Sequence, residues 1–446
     1  MRLTASALWL SLMLTIEKQI LQRLQPWLDS PSFCVAFSGG MDSTVLLYAL
    51  VRLAQQHSLP KLRAIYIHHG LQAAAQAWPV HCQQICAELQ IPLDVIEVNV
   101  ASTASVERAA RDARYSAFAQ NLRVNEVLLM AQHLDDQAET VLFRLLRGAG
   151  VSGLRGIPAE RVLAAGHLVR PLLGISQQDL RRYAQQQHLQ WIEDPSNASD
   201  DFDRNYLRRQ IIPALQARWP SLRTTLQRST EHMQEAQQLL DELAELDLQG
   251  AQAVVQLPWL LLPSLNLSFI RGLTLPRQKN LLRYWLADFT LPPDSAHWQS
   301  WQTLRDAKID ANPIWRLQNG ALLRSQDNVF WLPEHWLQEP PELHITITAA
   351  GRYELPGNGC LTITGELVAP LHIRYRQGAE HLFIEGRGHR DLKRLLQEQG
   401  VPVFMRSRLP LVFQQEQLLA IANLPHLNHA MLATVRFDWQ FTSLFE

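Results

Sequence analysis

Short apolar runs recur along the first third of the chain, and segments with a helical pattern separate them. The runs are FCVAF at 33–37, RAIYIHHG at 63–70, LDVIEVNV at 93–100 and EVLLMAQH at 126–133. Strands that alternate with helices predict βαβ units, and therefore a parallel sheet covered by helices on both faces. Such sheets bind ligands beyond the carboxyl ends of their strands, which is where SGGMDS, HHGL and QHLDDQ fall.

In the rest of the chain the pattern of apolar and polar residues changes twice. Residues 218–249 have the pattern of one long helix or a broken pair, and residues 251–335 are rich in leucine and tryptophan with a mostly helical pattern. Beyond these the pattern alternates as in strands, with one basic helix among them. We therefore predict an α/β protein with three domains. They are a Rossmann-like parallel-sheet domain at 1–220, a helical middle domain at 221–341 and a small α+β domain at 342–446.

Composition narrows the class of protein. The 446 residues are 47% hydrophobic and 19% charged, as in globular proteins. The net charge of −1 does not by itself point to a nucleic-acid partner. The four cysteines form no C-x-x-C pair, which favours buried thiols in a reducing compartment. Residues 1–16 resemble the apolar part of a signal peptide, but no cleavage motif follows them. We expect a cytoplasmic protein without a membrane span, starting at Met1 or Met13.

The loop after the first apolar run has the features of an anion site. A helical pattern follows it directly, and a strand, a glycine-rich turn and a helix N-terminus together present free N–H groups to a phosphate. Taken alone, the loop is also compatible with an ordinary surface turn. Its residues are Ser38, Gly39, Gly40, Met41, Asp42 and Ser43.

Asp42 narrows the chemistry of this loop. A carboxylate beside a polyphosphate is repulsive unless a divalent cation lies between them, so Asp42 predicts bound Mg²⁺. The Walker pattern with its lysine does not occur in the sequence. The loop therefore predicts a triphosphate held by backbone groups, serine hydroxyls and a metal on Asp42.

An arginine-rich segment, ERAARDARY, follows the third run. Glu107, Arg111 and Arg114 lie at helical spacing. Glu107 and Arg111 are four residues apart, so a surface salt bridge is the simpler interpretation. The alternative is that the arginines contact a phosphate or a base, for which a planar and permanently charged group is suited.

The segment AQHLDDQAET concentrates acids behind the fourth run. It contains His133, Asp135, Asp136 and Glu139. Asp136 and Glu139 share one face of a helix that starts near Asp135, and capping of that helix explains one or two of the acids. Three acids and a histidine at a strand end indicate either metal binding or capture of a cationic substrate.

These strings occur in an order that resembles a known family. S-G-G-x-D-S after a buried strand matches the PP-loop ATP pyrophosphatases, which split ATP between its α and β phosphates. Over residues 33–216 the chain resembles the tRNA(Ile)-lysidine synthetase family, TilS. One departure is Gln132, where many relatives carry a second histidine. The strings that carry the resemblance are SGGMDSTVLL, HHGL, ERAARDARY, AQHLDDQAET, RLLRGAGVSGLRGI, RPLL and WIEDPSNASDDFDRNYLRRQIIPAL.

The resemblance implies an activity and its substrates. The family uses ATP to adenylate C2 of the wobble cytidine in tRNA(Ile) with a CAU anticodon, and free L-lysine then displaces AMP. The product changes the tRNA from methionine to isoleucine specificity. For this chain the resemblance implies ATP and Mg²⁺ at the loop, lysine on Asp136 and Glu139, and Asp135 or His133 as the base.

The resemblance also implies tRNA contacts near the sheet. Arg111, a candidate catalytic residue, and Arg114 would serve the cytidine or its phosphate. Further candidates for substrate binding or loop ordering are Arg147, Arg204, Asn205 and Arg208. For at least one of them, a salt bridge with Asp200, Asp201 or Asp203 remains the alternative.

A second basic segment lies at 386–408 in the last domain. Its arginines and lysine outnumber its acids, which is typical of a phosphate-backbone footprint or of a solvated helix face. The resemblance favours tRNA binding, with Arg390, Lys393 and Arg394 as the leading residues. Its basic side chains are Arg387, Arg390, Lys393, Arg394, Arg406 and Arg408.

Two other functions remain open. A PP-loop tRNA thiolase shares the loop and the substrate class, but it depends on cysteine clusters or persulfide carriers that the sequence does not indicate. A non-catalytic ATP sensor has no need of so many acids beside a polyphosphate. The sequence is compatible with a monomer and with a homodimer.

Overall fold

The computed structural model describes residues 16–68, 77–99, 106–194, 203–253, 257–294, 297–308 and 311–441. The chain divides into two compact units, Met1–Gln238 and Leu239–Glu446. The expected division into three domains remains a prediction. The apolar N-terminal segment, His69 to Leu71 and the two aspartates at 200 and 201 lie outside the described residues.

The first unit is built on a six-stranded sheet in the order β3-β2-β1-β4-β6-β5. Neighbouring strands are parallel from β3 to β6, and β5 runs antiparallel to β6 at the edge. The predicted parallel sheet is therefore confirmed. The strands are β1 (Ser32–Ala36), β2 (Lys61–His68), β3 (Leu93–Glu97), β4 (Val127–Leu129), β5 (Glu160–Leu163) and β6 (Gly166–Val169).

Helices follow or separate these strands. A π-helical turn, Leu207–Ile211, joins α8 to α9, and the pattern at 218–249 forms a single long helix, α10. The helices are α1 (16–24), α2 (Met41–Gln56), α3 (Trp78–Glu88), α4 (Val106–Asn121), α5 (Leu134–Leu146), α6 (Val151–Leu154), α7 (Gln177–Gln186), α8 (Asp203–Tyr206), α9 (Ile212–Arg218) and α10 (Leu222–Gly250).

Strand β1 is apolar from Phe33 onward because both of its faces are buried. Phe33, Val35 and Phe37 belong to a core cluster that includes residues of α2 and α7, whereas Cys34 belongs to a second cluster with Phe118 of α4. Alternate side chains of a strand point to opposite faces. Both faces of this strand are covered, so no position accommodates a polar side chain without a partner.

A buried ion pair lies at the opposite end of the sheet from the motifs. Glu126, just before β4, is fully buried and accepts hydrogen bonds from Arg63 Nε at 2.8 Å and Ser32 Oγ at 2.7 Å. Arg63 also reaches Asp94 Oδ2 at 2.7 Å. These residues come from the beginnings of β1 to β4, so the pair links four strands at their amino ends.

The second unit contains three sheets. They have the orders β7-β10-β9-β8, β11-β14-β17-β18-β15-β16 and β12-β13-β19. The strands are β7 (Ser264–Asn266), β8 (Ile314–Leu317), β9 (Gly320–Ser325), β10 (Asn328–Pro333), β11 (Ile345–Ile347), β12 (Gly351–Glu354), β13 (Cys360–Thr364), β14 (Leu371–Arg374), β15 (His381–Ile384), β16 (Gly388–Asp391), β17 (Leu411–Gln414), β18 (Gln417–Ile421) and β19 (Arg436–Gln440).

The helices of this unit are α11 (Leu267–Gly272), α12 (Leu275–Leu286), α13 (His297–Asp306), α14 (Leu392–Glu398) and α15 (Val403–Arg406). Short 3₁₀ turns lie at Gln25–Trp27 in the first unit and at Glu334–Trp336, Pro425–Leu427 and Ala430–Leu432 in the second. In its described residues, the leucine- and tryptophan-rich segment thus contains three helices, and also a four-stranded sheet that its helical pattern did not indicate. Trp301, Trp315 and Trp331 are buried together between these elements.

Two arginines of the basic segment in the last domain have structural contacts. Arg408 is 2% exposed, donates to the carbonyls of Trp336 and Gly357 at 3.2 and 3.3 Å, and stacks over the Trp336 ring. Arg406 is half-buried and donates to the Val401 carbonyl at 3.0 Å. The expectation that Arg408 belongs to a phosphate footprint is therefore wrong, because its guanidinium is out of solvent.

Candidate active site

The phosphate loop and the acidic segment lie at neighbouring strand ends. Strands β1 and β4 pair in parallel, so the residues that follow them emerge at the same edge of the sheet. The loop 38–43 follows β1, and His133 follows β4 and caps α5. The two motifs meet there, since His133 Nε2 lies 3.5 Å from Asp42 Oδ2.

The loop is closed by its own hydroxyl groups. Ser43 Oγ accepts from the Ser38 backbone N–H at 3.2 Å and donates to the Gly40 carbonyl at 3.0 Å. The N-cap residue of α2 is Gly40, which has no side chain to accept hydrogen bonds from the first N–H groups of this helix. These amides and the helix dipole are suited to bind an anion.

Gly39 is the residue whose backbone requires glycine. Its φ is +77°, and a Cβ there would lie 2.9 Å from both Cys82 Sγ and the Ile192 Cδ1. The Gly39 carbonyl accepts from the Ile192 N–H at 2.9 Å. The loop is thus fixed from behind by α3 and by the segment that contains Ile192, which belongs to the WIED string.

Asp42 lies in the first turn of α2 and faces His133. Its Oδ2 is 3.5 Å from His133 Nε2. Its Oδ1 is buried and has no hydrogen-bond partner among the described residues. A buried carboxylate oxygen without a partner is costly in a protein, so this atom is suited to bind a cation.

His133 is held in one orientation by the start of α5. Its Nδ1 accepts from the N–H groups of Asp135 at 3.2 Å and Asp136 at 3.4 Å, and Asp136 Oδ2 accepts from the His133 N–H at 3.0 Å. This capping box fixes the ring and the first acids together.

The charge of His133 is set by opposing influences. Burial disfavours the imidazolium, but the hydrogen bond to Asp42 and the charges of Asp136 and Asp135 outweigh burial and raise the pKa of His133 to about 9. If Nδ1 were also protonated, its N–H would point at the backbone N–H groups of Asp135 and Asp136, which is unfavourable. Because Nδ1 accepts from the cap, Nε2 carries a proton directed at Asp42 whether or not the ring is charged.

Asp136 and Glu139 share one guanidinium. Arg208 Nε and Nη2 contact the two Glu139 carboxylate oxygens at 2.5 and 2.8 Å, and Nη2 also contacts Asp136 Oδ1 at 3.3 Å. Burial raises the pKa of Glu139, and the pair with Arg208 offsets this only in part. Arg208 itself lies in the π-helical turn.

Asp135 is engaged on both oxygens. Its Oδ1 forms an ion pair with Arg223 Nε at 2.5 Å, and its Oδ2 accepts from the Gln177 N–H at 2.9 Å. The side chain is 9% exposed. Asp135 therefore anchors the first turn of α5 to the starts of α7 and α10.

Arg111 and Arg114 lie exposed on α4. The Arg111 guanidinium is 5.4 Å from the Tyr115 ring centroid, and Arg161 covers the same ring at 4.8 Å. The salt bridge expected for Arg111 with Glu107 involves a side chain that lies outside the described residues. Positive charge therefore accumulates around Tyr115.

Arg170, from the RPLL string, connects this group to the acidic segment. It is 4% exposed, and its Nε donates to Gln132 Oε1 at 2.8 Å. Its Nη2 donates to the Tyr115 hydroxyl at 3.3 Å. The Gln132 that replaces a family histidine is thus a hydrogen-bond acceptor for a buried arginine.

The remaining candidates are spread over two places. Arg147 and Arg204 cover the Phe143 ring at 5.2 and 5.9 Å, at the end of α5. Asn205 is half-buried beside Arg204. In the second unit the exposed part of the basic segment is Arg387, Arg390, Lys393 and Arg394.

Sequence reasoning missed two residues of the site, Arg170 and Arg223, and it named Arg208 without its partners. Arg170 and Arg208 lay in quoted strings, but nothing in the strings gave their partners, and Arg223 lay in a helical pattern without a motif. A net count of charge around α5 was the available signal, because three buried or partly buried acids require cations. Arg208 and Arg223 are those cations.

The fold and the loop together define a PP-loop ATP-utilising domain. A model of the PP-loop domain matches residues 12–215, a model of the TilS substrate binding domain matches 265–330, and one of the TilS substrate C-terminal domain matches 371–439. The chain belongs to the tRNA(Ile)-lysidine synthase family.

Curated relatives cover nearly the whole chain. A tRNA(Ile)-lysidine synthase from Pseudomonas fluorescens is 52% identical over 95% of this chain and 96% of its own length. One from Coxiella burnetii is 38% identical over 93% and 94%, and one from Serratia proteamaculans is 40% identical over 86% and 89%. Within the described residues, none of the helices has both the length and the hydrophobicity to span a bilayer.

Proposed function

We propose that this chain is an ATP-dependent ligase that forms lysidine at the wobble cytidine of tRNA(Ile) with a CAU anticodon. The observation that carries the proposal is the position of Asp42, with an unpartnered buried oxygen, between an uncapped helix N-terminus and the acidic start of α5. A triphosphate on those amides would lie beside a cationic nucleophile on those acids, which supports the proposal in a chain of the tRNA(Ile)-lysidine synthase family.

The reaction has two steps. The C2 oxygen of cytosine is a poor leaving group, so it first attacks the α-phosphorus of ATP, and pyrophosphate leaves. The ε-nitrogen of lysine then attacks C2, AMP leaves with the original oxygen, and the nitrogen loses its protons to a base. Holding the reactants side by side supplies much of the rate enhancement.

ATP binding is assigned to the loop. The uncapped amides of α2 and the hydroxyls of Ser38 and Ser43 provide donors for phosphate oxygens. Ile192 and Cys82 hold the loop in place behind Gly39. Such preorganised donors stabilise developing charge without moving in the reaction.

Asp42 fits a magnesium ion that arrives with the triphosphate. Among the described residues, no group of three or more His, Cys, Asp or Glu side chains is arranged to hold a metal ion by itself. Mg²⁺ often uses one or two carboxylates together with substrate phosphates, and Asp42 Oδ1 offers one such oxygen. A bound Mg²⁺ would neutralise the charge that builds up on the phosphates.

Lysine binding is assigned to Asp136 and Glu139, and Glu139 is the proposed base. Asp135 is disfavoured because both of its oxygens are engaged, and His133 because its Nδ1 lone pair caps α5. Burial raises the pKa of Glu139, which brings a carboxylate closer to the range useful for accepting a proton near neutral pH.

The tRNA contacts are assigned to exposed arginines. Arg111, Arg147 and the half-exposed Arg204 carry positive charge near aromatic rings, a combination that binds single-stranded RNA through phosphates and stacked bases. Arg114 adds a further exposed charge on α4. Asn205 adds amide donors beside them. In the second unit, Arg390, Lys393 and Arg394 are assigned to the tRNA backbone.

Thiolation is the second candidate, and the cysteines disfavour it. All four cysteines are buried and free. Burial raises the pKa of Cys34 and Cys82 to about 12 and that of Cys86 to about 11. Thiolates are the reactive form, so these side chains are poor sulfur carriers.

The test of the proposal is transfer of labelled lysine to tRNA. We expect radioactive L-lysine to enter CAU-anticodon tRNA(Ile) only with ATP and Mg²⁺, and nucleoside mass analysis to locate it at the wobble cytidine. A transcript with uridine at that position is the control. Sulfur incorporation, or ATP binding without any tRNA product, would contradict the proposal.

A further inference from the structure

The acids assigned to lysine already hold a cation from the chain itself. Arg208 engages both carboxylate oxygens of Glu139 and one of Asp136. The other Asp136 oxygen accepts from the His133 N–H. Every oxygen of these two carboxylates therefore has a donor before any substrate arrives.

The difference in exposure between the two side chains shows that Arg208 shields Glu139 from solvent. The Glu139 side chain is 5% exposed, whereas that of Arg208 is 36% exposed. The guanidinium thus lies between a buried carboxylate and solvent. A substrate ammonium reaches Glu139 only if Arg208 moves aside or the two cations share the carboxylates.

The backbone that carries Arg208 is suited to such a movement. Leu207–Ile211 forms a π-helical turn between two short helices, and Ile212–Arg218 has a proline in its first turn. π-helical turns are rare, cost stability and occur often at functional sites. A change to α-helical hydrogen bonds in this turn would rotate Arg208 relative to α5.

We propose that Arg208 is an internal competitor for the substrate ammonium and so determines which amines enter the site. It rests on the proposed function, in which Asp136 and Glu139 bind lysine. The ε-ammonium of lysine displaces the guanidinium because it offers its own charge and hydrogen bonds to the same carboxylates. Uncharged side chains and water lack that charge and leave Arg208 in place.

The same position of Arg208 protects the intermediate. While Arg208 covers Glu139, the proposed base is not available to take a proton from water. Hydrolysis would let water attack C2 of the adenylated cytidine, release AMP and restore the original carbonyl. Arg208 therefore keeps this wasteful reaction slow until lysine arrives.

The test compares Arg208→Gln with wild-type enzyme. If Arg208 occupies the carboxylates in most molecules, only the remaining fraction can bind lysine, and the apparent affinity for lysine is lowered in proportion. We therefore expect KM for lysine to be about threefold to tenfold lower in Arg208→Gln than in wild type. Without lysine, AMP release from adenylated tRNA should rise. Arg208→Lys, which keeps the charge but not the paired contacts, should lie between the two.

Controls separate competition from damage. Arg182→Gln removes an arginine from α7 whose partner is Asp179, and it should leave KM for lysine within about twofold of wild type. In a Glu139→Gln background, Arg208→Gln should have a smaller effect on the affinity for lysine, measured by equilibrium binding, because two of the three Arg208 contacts involve Glu139. Thermal denaturation checks that the variants fold.

Several outcomes would overturn the inference. A higher KM for lysine in Arg208→Gln would make Arg208 part of the lysine site, and a higher KM for ATP would make it a phosphate ligand. Unchanged KM and unchanged AMP release would make the ion pair structural only. A wild-type enzyme that transfers no lysine would instead refute the proposed function, and with it the role of Arg208 as a competitor for lysine.

Discussion

Each carboxylate of the site has a different set of neighbours, and these neighbours decide its chemistry. Asp135 is held by Arg223 and a backbone N–H, and Glu139 is held by Arg208. Asp42 differs because one of its oxygens is buried without a partner. A buried carboxylate oxygen without a partner is costly in a folded protein, so Asp42 is the residue at which a bound cation has most to contribute.

The prediction for Asp42 concerns the first chemical step. Asp42→Asn keeps the size of the side chain but removes the charge that would hold Mg²⁺. We expect pyrophosphate release with CAU-anticodon tRNA to fall about a hundredfold or more, while tRNA affinity stays within about twofold. Steady-state pyrophosphate assays and filter binding measure the two quantities.

Asp29→Asn is a matched control for this variant. Asp29 is exposed before β1, away from the loop in sequence, and its loss should alter neither quantity. Pyrophosphate release that survives in Asp42→Asn would refute the metal role of Asp42.

At the scale of elements, the phosphate loop makes a prediction about two adjacent glycines. Gly39 has φ +77° and no room for a Cβ, whereas Gly40 has φ −75° and its nearest atom would be Ser38 Oγ at 3.5 Å. Gly39→Ala should reduce the free energy of unfolding by about 1–3 kcal/mol. Gly40→Ala should change it by less than about 1 kcal/mol.

Urea denaturation of the two variants distinguishes these cases. Equal losses of stability in both would mean that the positive φ and the contact with Cys82 do not limit residue 39. The comparison is internal, because both substitutions add the same methyl group to the same loop.

The amino end of the sheet makes a second prediction at this scale. Burial opposes ionisation of Glu126, but hydrogen bonds from Arg63, Arg123 and Ser32 outweigh it and hold the pKa of Glu126 below its usual value. Replacing Glu126 by Gln leaves Arg63 without its buried partner and should cost about 3 kcal/mol of unfolding free energy at pH 7.

The pH dependence of this effect has a definite sign. A lowered pKa in the folded state means that the stability from Glu126 is present above its ordinary pKa of 4.5 and is lost as the pH falls through the folded value. The difference between wild type and Glu126→Gln should therefore shrink in acid. Glu160→Gln, an exposed change on β5, should show no such difference, and a gap that widens in acid would contradict the account.

At the scale of the whole molecule, the prediction concerns tRNA binding by the second unit. Arg390 and Lys393 are exposed at β16 and α14. Reversing both to Glu should lower tRNA affinity about tenfold and reduce the slope of log affinity against log salt by roughly two. ATP affinity should not change.

The matched control reverses two exposed arginines elsewhere, Arg181 and Arg182 on α7. Fluorescence anisotropy at several salt concentrations gives both affinity and slope. An unchanged slope in the Arg390 and Lys393 variant would return these residues to a solvated helix face.

How much of this could be predicted from the sequence depends on the distance over which a signal acts. The parallel sheet was predictable because β1, β2 and β4 are short, continuously buried apolar runs separated by helical segments. The loop was predictable because its residues are contiguous. The pairing of Arg208 with Glu139 was not, because the two are 69 residues apart in the chain and charge alone does not select a partner. The burial of Arg408 was hidden likewise, since its acceptors are mostly backbone carbonyls.

The second unit shows the same limit for an element. Residues 264–333 read as helical because leucine and tryptophan dominate, yet they also supply β7 to β10. Trp315 and Trp331 lie on strands that pack on helices, and short buried strands have no periodicity that separates them from helix. Tertiary packing decided their structure.

The central claim is that ATP is cleaved between its α and β phosphates at the loop after β1, with AMP passing to the tRNA. Product analysis with ATP labelled at the α-phosphate, CAU-anticodon tRNA(Ile) and lysine tests it most directly. The account predicts labelled AMP in amounts equal to the lysine incorporated, with label bound to tRNA when lysine is omitted. Labelled ADP as the product, or label that never joins tRNA, would contradict it.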